Sequence, residues 1–165
     1  MSDPILTYST AKGYVQSAYV MMASEYRFAA PEDSTFVLGF HMLAGFAAEL
    51  YLKAYLAHKG HTEKELKGQG VRHNLKALLA LAKADGFSSA SAERLVDLLN
   101  DNHESFEFRY MKSTSTYTAR SLNEVFEDFS HLDNFVDTEV GASASKGRSP
   151  GGLWKLADEK AEWRL

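Results

Sequence analysis

The stretch STFVLGFHMLAGFAAELYLKAYLAHKG, residues 34–60, decides the fold of this 165-residue chain. Its apolar residues lie almost all the way round a helical wheel, as they do in a helix buried on every side. Phe36 to Ala57 is the most apolar run in the chain, and its length nearly crosses a bilayer. It also carries His41, Glu49 and Lys53, and one charge near a bilayer centre costs about 2.5–3.5 kcal/mol. The less costly reading is the central helix of a bundle, with no membrane association expected. Asp33 or Ser34 supplies the N-cap, and Gly60 supplies the left-handed residue that stops the helix.

Working outward, apolar spacing and stop signals place four more helices around this one. The first is expected over about Thr7–Phe28, on Tyr8, Val15, Ala18, Tyr19, Met22 and Tyr26, ending before Pro31. The third is expected over about Asn74–Ala84, capped by His73 or Asn74 and closed by Gly86. The fourth is expected over about Ser89–Asn102, and the fifth over about Ser121–Glu139, stopping at Gly141. No stretch alternates with β-branched enrichment, and Ser113–Thr118 reads as a loop. The expected architecture is therefore all-α, an up-and-down bundle of about five helices over residues 1–140. Residues 141–152 have linker composition and lead to a C-terminal tail, 153–165, that carries Trp154 and Trp163. Two tryptophans need burial. They dock either on the domain or a second copy of it, or else on an outside partner.

Composition narrows the chemistry. With no cysteine, disulfides, thiolate metal sites and cysteine nucleophiles are excluded together. The opening MSDPILTYST lacks the basic flank and apolar core of a signal peptide, so a cytoplasmic location is expected. A net charge of −4 argues against coating nucleic acid through bulk electrostatics, so any RNA contact must come from a local patch.

The polar residues of the central helix are one candidate for such a patch. His41, Gly45, Glu49 and Lys53 are four apart and form one slowly drifting stripe. The stripe either specifies packing through a Glu49–Lys53 pair or faces a cleft or dimer seam and holds a polar ligand, and Gly45 admits a close helix neighbour. The segment KGHTEKELKGQGVRH, 59–73, sets Lys59, Lys64, Lys67 and Arg72 against Glu63 and Glu65, a local charge of +2, and reads as a mobile loop. His58, His61 and His73 have loose spacing and no repeated acidic ligand, so no metal is expected. Phosphate-binding glycine loops, nucleophile elbows and H-E-x-x-H are absent, and no motif names a cofactor.

AGFAAELYLKAYLAHKG (44–60), then RHNLKALLALA (72–82), then FEFRY (106–110) together resemble the HEPN family of small helical nucleotide- and RNA-associated proteins. The shared pattern is an acidic and a basic residue four apart on a long helix, a glycine stop, a His-Asn-Leu helix start and an Arg-Tyr before the last helix. The resemblance implies a helical bundle that pairs into a homodimer with a cleft at the seam. It also implies, in many members, a metal-independent ribonuclease carrying an arginine and, five to seven residues later, a histidine. Here none of His41, His58, His61, His73, His103 and His131 stands at that distance after an arginine; Arg109 is followed there by Thr114, Ser115 and Thr116.

The expected function is thus a non-catalytic HEPN-like binding module for nucleotide, RNA or a protein partner. By resemblance, that partner is a small nucleotidyltransferase in a toxin–antitoxin pair. The candidate ligand-binding residues are His41, Glu49, Lys53, His73, Arg109 and Tyr110, with Lys112 and Tyr117 nearby. His73 is also expected to cap the third helix, and Arg109 to clamp a helix end or pair with Glu49, Glu104 or Glu107. Two alternatives stand beside this reading: a diverged ribonuclease in which Arg109 works with His103 or another folded-in histidine, and a protein-interaction scaffold using the Trp-bearing tail.

Overall fold

The computed structural model describes residues 3–110 and 117–165. Lys112 and most of the loop expected over Ser113–Thr118 lie outside the described residues. Those described form an all-helical bundle, with no strand among them: α1 (Pro4–Ala23), α2 (Ser34–His58), α3 (Glu63–Leu66), α4 (Leu75–Ala84), α5 (Ala90–Glu104) and α6 (Leu122–Val140).

As its composition requires, α2 is the central helix and packs on α1, α4, α5 and α6. It is the one helix among the described residues long and apolar enough to cross a membrane, and in the fold Phe40, Ala44, Ala47, Ala48, Tyr51, Leu52 and Tyr55 are buried in the bundle. The caps of the later helices follow the sequence: Asn74 accepts from the Ala77 amide, Ser89 accepts from Ala92, and Gly141 takes φ 72° after α6.

The first helix is displaced from its expected bounds. It begins at Pro4, because the Asp3 carboxylate accepts from the Ile5 and Leu6 amides and proline suits the first helical turn. It ends at Ala23, where Ser24 turns extended and caps a short 3-10 turn, Glu25–Ala29. The expected loop 59–73 also holds a helical turn: Thr62 and Glu65 form a reciprocal capping box around α3, and Leu66 is buried beneath it.

The tail packs against the bundle's own surface. Trp154, Leu156 and Ala161 are buried, the Trp154 amide donates to Ser130, and Asn123 brackets Leu156 through both backbone groups. Trp163 lies edge-on to Phe40 and stacks with His41, and its indole N–H donates to the Arg120 carbonyl.

Beneath the tail, Arg27 is fully buried. Its guanidinium makes a two-pronged contact with Asp33, at 3.0 and 2.6 Å, and donates to the carbonyls of Met22, Lys160 and Glu162. Arg164 reaches the same carboxylate at 2.7 Å and donates to the Arg27 carbonyl. Burial alone would raise the Asp33 carboxyl, but hydrogen bonds from Arg27 and Arg164 outweigh it and hold the group well below the usual carboxylate range. Asp33 is therefore an anchor for the tail and makes no side-chain cap on α2.

Candidate functional site

Glu49 sits on α2 with 4% of its surface exposed, and three cationic or imidazole groups converge on it. Lys53, one turn on, places its ammonium 2.6 Å from Oε1 and also donates to the Arg72 carbonyl. The other oxygen, Oε2, faces two histidines: His73 Nδ1 at 3.1 Å, from the segment entering α4, and His103 Nε2 at 2.7 Å, from the last turn of α5. A carboxylate only accepts, so both ring nitrogens carry the proton and donate to it. Burial alone would raise the Glu49 carboxyl, but the hydrogen bonds from His103 and Lys53 hold it at about 2.

His103 reaches Glu49 because position 45 is glycine. A Cβ there would lie 2.5 Å from His103 Nδ1, so the α5 ring rests directly on the α2 backbone. Gly45→Ala is therefore expected to destabilise the protein by about 1–3 kcal/mol, although alanine is the better helix former. Thermal unfolding checks this, and in a His103→Ala background the same substitution should become neutral or stabilising. A higher melting temperature for Gly45→Ala alone would show that the ring does not press on this glycine.

Two concavities meet at these side chains. A cleft of about 290 Å³ is lined by Glu49, Lys53, Leu66, Lys67, Arg72 and His73. Beside it, Phe46, His103, Phe106, Phe108 and Arg109 line a shallow depression. His73 joins the two, with its ring 6.0 Å from His103 and 4.9 Å from Phe106. Phe106 is the one non-glycine residue with positive φ, 58°, among the described residues. A bulky side chain reaches that conformation only against steric cost. Its ring packs edge-on to His73 and lies beneath the Arg109 guanidinium, at 4.5 Å. Arg109 also stands 5.9 Å over Phe46. Among the described residues no carboxylate pairs with Arg109 or Arg72, so the expected pairing of Arg109 with Glu49, Glu104 or Glu107 is not made.

Of the residues singled out by sequence, Glu49, Lys53 and His73 come together, and Arg109 stands next to them. Tyr110 follows Arg109 with its side chain largely exposed. His41 does not belong to the site. Its Nδ1 bonds the Val37 carbonyl at 2.7 Å, and its ring is buried between Phe108 and Trp163. Four-residue steps drift about 40° each, so His41 and Glu49 are about 80° apart around α2. Burial lowers the His41 pKa from its ordinary value. His73 is not the cap of α4; Asn74 is, which frees the imidazole for Glu49. His58 is exposed and His61 pairs with Asp85 at 2.7 Å, so the three histidines grouped by sequence do not converge. His103, considered by sequence only as a catalytic companion to Arg109, is central to the cluster. The signal that could have nominated it is Gly45, which admits a close neighbour on that face of α2 without saying which.

Comparison with protein families, curated proteins and solved structures finds no match to this chain.

Proposed function

We propose that the chain is a HEPN-like binding module that holds a phosphate-bearing ligand, a nucleotide or a single-stranded RNA segment, at the strip running from Arg72 and His73 to Arg109 and Tyr110. The reading rests on one observation: Arg109 has aromatic faces beneath it and no carboxylate partner among the described residues, beside a buried carboxylate–imidazole cluster. An unneutralised guanidinium suits phosphate, and the exposed ring of Tyr110 suits stacking on a base. The same resemblance proposes a homodimer and a small nucleotidyltransferase as partner. Trp154 and Trp163 pack against the bundle, so the tail offers neither indole as a free anchor for a scaffold.

Fluorescence anisotropy with a labelled 12-nucleotide uridine strand, in EDTA and at fixed salt, tests the reading. Wild-type protein is expected to bind, and Arg109→Ala to bind about tenfold more weakly, the scale of one lost stacking or charge-assisted contact. Equal binding by the two proteins, or none by the wild type, sinks it. A second reading is favoured by the shared depression of Arg109 and His103, which brings a guanidinium and an imidazole to one place as a diverged ribonuclease requires. In the same tubes, strand cleavage abolished by Arg109→Ala would select that reading over the non-catalytic one.

A further inference from the structure

We infer that Glu49, His73 and His103 form a binding site for one divalent transition-metal ion of the zinc class. Glu49 Oε2, His73 Nδ1 and His103 Nε2 all lie within 4.8 Å of one another. Bonds of about 2.0–2.1 Å hold the ligand atoms of a tetrahedral ion about 3.3 Å apart. The two carboxylate–imidazole separations, 3.1 Å to His73 and 2.7 Å to His103, need to open by about 0.2 and about 0.6 Å to admit an ion in place of the two N–H protons. Rotation of the half-buried His73 opens the first separation and a small turn of the Glu49 carboxylate opens the second, without shifting a helix. An imidazole ligates through one ring nitrogen while the other carries the proton, so coordination requires no imidazolate.

The donor set selects the class of ion. Two imidazoles and one carboxylate suit Zn²⁺, Co²⁺ or Ni²⁺, whereas Ca²⁺ and Mg²⁺ take oxygen ligands throughout. The three ligands come from α2, α5 and the segment entering α4, so the geometry is held by helix packing, with Gly45 setting the α2–α5 approach. Lys53 bonds the other carboxylate oxygen, Oε1, and is tied to the Arg72 carbonyl, which orients Glu49 from outside the coordination sphere. Its positive charge lowers the affinity below that of a site lacking it. Three protein ligands leave a tetrahedral ion one position short, and the cleft bordered by Glu49 and His73 gives water access to that position.

This inference is independent of RNA binding, and the metal alone is the probe. Full-length protein, stripped with EDTA and dialysed, is titrated with Co²⁺ and Zn²⁺ by calorimetry and visible absorption. One ion per chain is expected, with a dissociation constant of about 10 µM or tighter and the intense visible band of four-coordinate Co²⁺. His73→Ala and His103→Ala should each weaken binding at least about tenfold, whereas His131→Ala, on the exposed face of α6, should leave it unchanged. Zn²⁺ should also raise the melting temperature of the wild type and not that of His73→Ala. His73 is half-exposed on a connecting segment, so that variant keeps the test valid if His103→Ala does not fold. No saturable binding by about 100 µM metal, or binding untouched by His73→Ala, overturns the inference.

Discussion

Arg27→Met is expected to lower the stability of the protein by about 3–5 kcal/mol, the range for removing one partner of a buried ion pair. Arg27 is fully buried, and its loss strips Asp33 of a two-pronged partner and orphans the carbonyls of Met22, Lys160 and Glu162. Arg164 remains on Asp33 and limits the damage. Urea unfolding measures the effect. Arg27→Met combined with Asp33→Asn should cost less than the sum of the two single changes, because both break the same ion pair. A change below about 1 kcal/mol for Arg27→Met would mean that the guanidinium is hydrated and does not anchor the tail.

Removing residues 153–165 is expected to cost still more. The deletion takes away Trp154 and Leu156 from the α6 side and Trp163 from Phe40 and His41, and it removes two of the acceptors of Arg27. Deleting one buried tryptophan side chain costs about 3–5 kcal/mol, and whole domains have only about 5–15 kcal/mol to lose. The truncated chain should therefore melt at least 10 °C lower, at about 2–4 °C per kcal/mol for a domain of this size, or populate a loosely packed state that binds ANS. A shift under about 3 °C would show that the tail is an appendage with no part in the fold. Trp154→Ala alone gives a milder version of the same comparison.

What the sequence reveals follows the range of the interactions concerned. The bounds of α2, α4, α5 and α6 are set by local events, apolar periodicity with a capping side chain ahead of α4 and α5 and a left-handed glycine after α2, α4 and α6, and these are legible within a dozen residues. The start of α1 is equally local, but Asp3 and Pro4 form a cap only when read together. The α3 turn carries its own signature in Thr62 and Glu65, though four residues show no periodicity. The Arg27 lock was illegible because Asp33 and Arg164 are 131 residues apart and nothing local marks either as buried. The Glu49 cluster falls between these cases. Lys53 is one turn away and readable, the His-Asn-Leu start pointed to His73, and His103 arrives from a helix whose rotation about its own axis no short pattern fixes.

The Arg27 anchor also bears on how the chain is made. Arg27 and Arg164 are 137 residues apart, so at about 5–20 residues per second Arg27 waits roughly 7–27 s on the ribosome before its last partner exists. Throughout that interval Arg27 and Asp33 can pair with each other, but the Lys160 and Glu162 carbonyls and the Arg164 guanidinium that cover the pair are still missing, and the seam stays open to water. Of the contacts around Arg27, those from the tail are thus the last to form, and residues 153–165 close over the pair like a latch.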